Sequence, residues 1–63
     1  MKRRDLIRHL EANACRLLRE GGSHSIWENT KNGKLTAIPR HKEVLGFTAA
    51  NICKQLEIPM AKI

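Results

Sequence analysis

The side chain best suited to moving a proton near neutral pH is His24, which follows Gly21-Gly22-Ser23 and opens a run that alternates polar and apolar residues. Imidazole, with an unperturbed pKa of about 6.5, can take a proton from a ribose 2′-hydroxyl or give one to a leaving oxygen without extreme tuning. Gly21 and Gly22 lack side chains, so a phosphodiester could approach the backbone there and at Ser23. Arg19, Lys34 and Arg40 stand at or beside the ends of the expected strands, where their cations could bind the phosphate and stabilise charge on its oxygens. By residue type and spacing alone, one histidine without a visible partner reads first as an ordinary exposed strand-end residue. Glu20 and Glu28 are the candidate carboxylates for orienting it. His41, between Arg40 and Lys42, reads as part of a solvated basic loop, and His9 as a surface or boundary residue of a helix.

These residues need elements to hold them, and the chain is short. Its 63 residues suffice for one domain, 1–63, that buries about 60% of its unfolded surface. Twelve Lys and Arg against six Asp and Glu leave a formal charge of +6, which points to a polyanionic partner, with nucleic acid first and an acidic protein or anionic surface next. No apolar run reaches signal or spanning length, so a cytoplasmic protein without a membrane partner is expected. Cys15 and Cys53 have no CxxC or ligand spacing around them and read as reduced core residues. The histidines His9, His24 and His41 do not supply a zinc set, so neither a metal nor a small-molecule cofactor is expected.

From Lys2 to Ala14, Leu6, Ile7, Leu10 and Ala14 recur at three- and four-residue steps opposite Arg3, Arg4, Arg8 and Glu11. The pattern is an amphipathic helix, with Asn13 as its left-handed stop. Its arginines form either a solvated face or a set of phosphate contacts. Cys15–Glu20, His24–Asn29 and Lys34–Pro39 read as strands, joined by Gly21-Gly22 and by Asn32-Gly33, a pair favoured in hairpins because both central residues need positive φ. Trp27 is the largest apolar group, and burying it turns His24 onto the opposite, uncovered face. Arg40–Phe47 reads as a polar connection, Thr48 as the cap of a second helix from Ala49 to Leu56, and Ile58-Pro59 as its stop, before a tail from Met60 to Ile63 that frays or docks loosely. Trp27 and Phe47 are assigned to the core, which argues against an aromatic platform for unpaired bases. The fold class is α+β, α-β-β-β-α, with a three-stranded antiparallel sheet carrying both helices on one face.

Leu17-Leu18-Arg19-Glu20-Gly21-Gly22-Ser23-His24, the Gly33-Lys34 turn, Ala37-Ile38-Pro39-Arg40-His41 and Ile52-Cys53-Lys54-Gln55-Leu56-Glu57-Ile58 resemble the HicA family of small bacterial toxins. Ala14, Phe47 and Glu57 depart from it, standing where its pattern commonly has glycine. The resemblance implies a fold similar to a double-stranded-RNA-binding domain and an mRNA interferase, which with no metal set in the chain is expected to cleave without a metal. It makes His24 the catalytic histidine; Arg19, Gly22, Ser23, Lys34 and Arg40, by their places around it in the chain, are the candidates for RNA contact. The implied partners are mRNA and a HicB-type antitoxin covering the His24 face. A non-catalytic basic RNA-binding module is the alternative.

Overall fold

The computed structural model describes residues 1–61 and contains α1 (Arg3–Ala12), β1 (Cys15–Glu20), β2 (His24–Asn29), β3 (Leu35–Pro39) and α2 (Gly46–Leu56). The strands form an antiparallel sheet in the order β1-β2-β3, so β2 is flanked on both sides. Lys62 and Ile63, the end of the tail expected to fray, lie outside the described residues.

One sheet face carries the core. Leu6 and Leu10, one helical turn apart on α1, meet Ala49, Ile52, Cys53 and Leu56 of α2 over Cys15, Trp27 and Ile38 of the strands. Ser25, Trp27 and Asn29 of β2 are buried while His24 is exposed, the alternation that a half-covered strand imposes. Both cysteines are free and buried. Burial pushes the Cys15 thiol above its ordinary pKa, and the nearby Cys53 adds to that. Val44, within the stretch read as a polar connection, is buried in the same core because Met1 and Val44 exchange two backbone bonds that pull the chain start alongside it.

Several local readings need correction. The left-handed residue after α1 is Ala14 (φ 64°), not Asn13, which keeps φ at −113° and donates its side-chain amide to the His9 carbonyl. Glu57 is left-handed as well (φ 57°) and closes α2 with its amide on the Cys53 and Lys54 carbonyls. These are two of the three departures from the family's glycines, and the backbone shows what glycine would serve there. Ala14→Gly should therefore raise stability by up to about 1 kcal/mol, read as a higher denaturation midpoint with unchanged m-value.

At the β2–β3 turn only Gly33 has positive φ (74°), so Asn32 is not there for its left-handed tolerance. The Asn29 carbonyl accepts from the Asn32 and Gly33 amides, which is a wider turn than the two-residue one expected. Asn32 instead acts through its side chain, accepting from the Lys34 amide and donating to the Leu56 carbonyl. Asn29 donates to the same carbonyl at 2.8 Å, so the turn caps the C-terminal end of α2.

β3 begins at Leu35, one residue later than expected, and α2 begins at Gly46, with Leu45 at the cap and no side-chain cap bond. Thr48 therefore lies inside the helix. Phe47 is 69% exposed rather than core, because starting the helix at Gly46 puts position 47 off the stripe formed by Ala49, Ile52, Cys53 and Leu56.

Candidate active site

His24 is the first residue of β2 and pairs with Pro39 at the end of β3, on the face that no helix covers. The turn before it is tight, with the Gly21 amide donating to the His24 carbonyl at 2.8 Å. A Cβ on Gly21 would stand 2.7 Å from that carbonyl oxygen, so close approach, not positive φ, demands glycine there. Gly22 has open space around its Cα, so a ligand can approach the backbone at that point.

The ring of His24 is held from one side only. Ser23 Oγ lies 3.1 Å from Nδ1, and Nε2 makes no hydrogen bond to the described residues. If Nδ1–H donates to the hydroxyl, Nε2 is a general base in the neutral ring and, once protonated, a general acid in the imidazolium; if the hydroxyl donates to Nδ1, the neutral ring offers Nε2–H only as a hydrogen-bond donor. The contact leaves Nε2 outward, and Nδ1–H donating to Ser23 is the arrangement in which it can take and later return a proton.

Arg19 reaches this face through an irregularity in β1. Leu17 pairs with Trp27 but Arg19 pairs with Ile26, which leaves Leu18 as an extra residue, a β-bulge. Strict alternation would have put Arg19 on the Leu17 side of the sheet; the bulge moves it across to join Ile26 and His24. Arg19, Glu20, Gly21, Gly22, Ser23, His24 and Ile26 line an open depression of about 330 Å³. No carboxylate pairs with Arg19 among the described residues, so its charge is available to an anion.

The other cations singled out in the sequence are placed differently. Arg40 donates Nη2 to Glu20 at 2.7 Å and Nη1 to the Gly21 and Gly22 carbonyls at 3.2 and 3.4 Å, which makes it a brace for the turn. Lys34 lies before β3 at the opposite end of the hairpin, 4.0 Å from Glu57. The structure thus gathers Arg19, Gly22, Ser23, His24 and Arg40 and leaves Lys34 apart. Neither candidate orienting carboxylate bonds His24: Glu28 holds Arg16 at 3.0 Å, and Glu20 faces Ser25 and Arg40. His9 lies 2.6 Å from the Pro59 carbonyl, while His41 is exposed in the loop after β3.

Residues 3–58 match the family model described as "HicA toxin of bacterial toxin-antitoxin". The chain belongs to the HicA toxin family. It is accordingly the toxin of a bacterial toxin–antitoxin pair, with an antitoxin as its partner. No curated protein and no solved structure matches it.

This HicA toxin also has a polar chain beneath the turn that local sequence patterns did not reveal. Arg3, half-buried at the start of α1, donates Nε to the Pro39 carbonyl and Nη2 to Ser25 Oγ, each at 3.0 Å. Ser25 is fully buried and donates to Glu20, whose other oxygen holds Arg40. The Ser25 hydrogen bond, helped by the charge of Arg40, holds the Glu20 carboxyl below its ordinary range, so it stays ionised where Arg40 needs a partner. Arg3 and Ser25 are 22 residues apart, which puts their contact beyond any local motif. The available signal was Ser25 itself, a polar residue on the same strand face as the buried Trp27 and therefore in need of partners.

Proposed function

We propose that this toxin is an endoribonuclease that cleaves mRNA without a metal ion, with His24 moving the proton, and that a HicB-type antitoxin neutralises it by covering the His24 face. The observation that carries this reading is an exposed imidazole on the uncovered face, fixed through Nδ1 by Ser23, in one depression with Arg19, neither Nε2 nor the Arg19 guanidinium having a partner among the described residues. With Nε2 as base, the 2′-hydroxyl proton passes to the ring and the 2′-oxygen bonds to phosphorus. The 5′-oxygen leaves and takes a proton from the imidazolium or from water. The products are a 2′,3′-cyclic phosphate and a 5′-hydroxyl end. Arg19 would bind the non-bridging oxygens, where charge builds as the fifth bond forms.

Membership of the family supports a toxin acting on RNA, and the open face gives an antitoxin a surface from which to shield His24. None of the helices is long and apolar enough to cross a membrane among the described residues, which fits an encounter with transcripts in the cytoplasm. The test is incubation of purified protein with a transcript in excess EDTA. We expect shortened products with cyclic phosphate ends, no cutting of the 2′-deoxy analogue, and arrest on adding the antitoxin. RNA that is retained on the protein but keeps its full length would favour the non-catalytic binding module.

A further inference from the structure

A second concavity shares Arg40 with the turn. Lys2, Arg3, Arg4, Arg40, Lys42 and Glu43 line about 530 Å³ of open space, five cations against one carboxylate. Two separate segments build it. Lys2 pairs with Glu43 in an isolated antiparallel bridge, and the Arg3 amide donates to the Lys42 carbonyl at 2.7 Å, which clamps the start of α1 against the loop after β3.

The charges in this cup are unequally compensated. Arg3 is fixed by a carbonyl and a hydroxyl, both neutral, with no carboxylate within ion-pair distance of it among the described residues; Glu20, bonded to the same Ser25 hydroxyl, feels its charge but is already paired with Arg40. Its planar guanidinium is thus immobilised and still positive, the condition under which an arginine receives a phosphate at little entropic cost. Lys2 and Lys42 are exposed and also lack an acidic partner among the described residues, so they add two mobile charges at the rim. Arg40 is common to both regions, since it lines the cup and donates to Gly21 and Gly22 of the His24 turn.

We propose that this cup binds backbone phosphate of the RNA strand next to the linkage presented to His24. The inference rests on RNA being the substrate and adds a second anchoring point. A strand with one phosphate between Arg19 and His24 must carry its neighbours past the turn, and on the Arg40 side Lys2, Arg3 and Lys42 line one concavity without an ion-paired carboxylate among the described residues. In the other direction, Arg16 is held by Glu28 at 3.0 Å and Lys34 by Glu57. The contact is to phosphate alone, so it gives position and affinity without choice of sequence.

The experiment titrates the full chain with a short single-stranded RNA carrying 2′-O-methyl sugars throughout, which cannot be cut by 2′-attack, at salt from about 50 to 200 mM. Replacing both Lys2 and Lys42 with alanine should lower the slope of log affinity against log salt by about 1.4, or 0.7 for each neutralised phosphate. Replacing Lys31 and Lys54 with alanine removes the same charge away from the cup and should leave the slope unchanged. Equal slopes for wild type and the Lys2/Lys42 variant, or equal changes in both double variants, would overturn the proposal. So would a Lys2/Lys42 variant that binds RNA normally but loses the antitoxin, since the cup would then serve an acidic protein surface. Thermal melts confirm that each variant is folded. Unmodified RNA separates the two ideas: no cutting with the slope difference present rejects the nuclease and keeps the cup, while normal cutting without it does the reverse.

Discussion

His24→Ala is expected to slow RNA cleavage by at least about 10²-fold and to abolish growth inhibition, while the protein melts within a few degrees of the wild type. The lower bound is what a positioned proton-transfer group contributes, typically 10² to 10⁴. The fold should be indifferent because the ring is exposed and its one side-chain hydrogen bond among the described residues is to the adjacent Ser23. An exposed side chain with no core contact costs about 0.5 kcal/mol or less when truncated. Gel assays with single-turnover rates would check the first half, and circular dichroism the second. Cleavage by the variant at the wild-type rate would leave the imidazole without a role and move the chemistry elsewhere or remove it. Binding of the uncleavable RNA should persist in this variant, since the phosphate contacts proposed for Arg19 and the cup do not involve the ring. Lost cleavage with retained binding is the pattern that identifies a chemical step.

The placement of His24 was legible because one residue decides it. Trp27 must be buried, it lies three positions from His24 in a strand, and an odd separation puts the two on opposite faces. The position of Arg19 was not legible, since alternation counts residues and cannot see the bulge at Leu18 that moves Arg19 across the sheet. Arg40 was visible as a cation near the histidine but not as a brace, because its partners are the Glu20 carboxylate and two backbone carbonyls on the preceding hairpin. Arg3 read as part of a polar helix face, yet it is the α1 residue that holds the end of β3 and the buried hydroxyl of β2. The misassigned ends of the helices share a cause. Thr48 reads as a cap by residue type, yet α2 is capped three residues earlier, at Leu45, and that frame puts Ala49, Ile52, Cys53 and Leu56 on the core at the expense of Phe47. Local signals therefore outlined the elements, while the network that fixes the site depended on contacts between distant segments.

Trp27→Ala should also abolish toxicity, but by a different route. Truncating a buried aromatic costs about 3 to 5 kcal/mol, and a 63-residue domain has roughly 3 to 9 kcal/mol in total. Trp27 sits on the central strand between Leu17 and Thr36, 6% exposed, so no neighbouring strand can slide in to fill its volume. The variant should be largely unfolded near 37 °C, with loss of far-ultraviolet ellipticity and of RNA binding together with cleavage; the near-ultraviolet band is no test, since Trp27 is the only tryptophan and the chain has no tyrosine. That joint loss distinguishes it from His24→Ala, in which only the chemistry goes. Trp27→Phe separates volume from polarity at the same position. The indole Nε1 is buried and has no hydrogen-bond partner among the described residues, so phenylalanine removes an unsatisfied donor while keeping most of the apolar surface. An orphaned donor costs about 1 to 3 kcal/mol, comparable to the packing lost with the smaller ring, so Trp27→Phe should stay within about 1 kcal/mol of the wild type and cut RNA at a similar rate. If phenylalanine proved as damaging as alanine, the indole would be held by something other than its bulk, and the placement of His24 through Trp27 would need another cause.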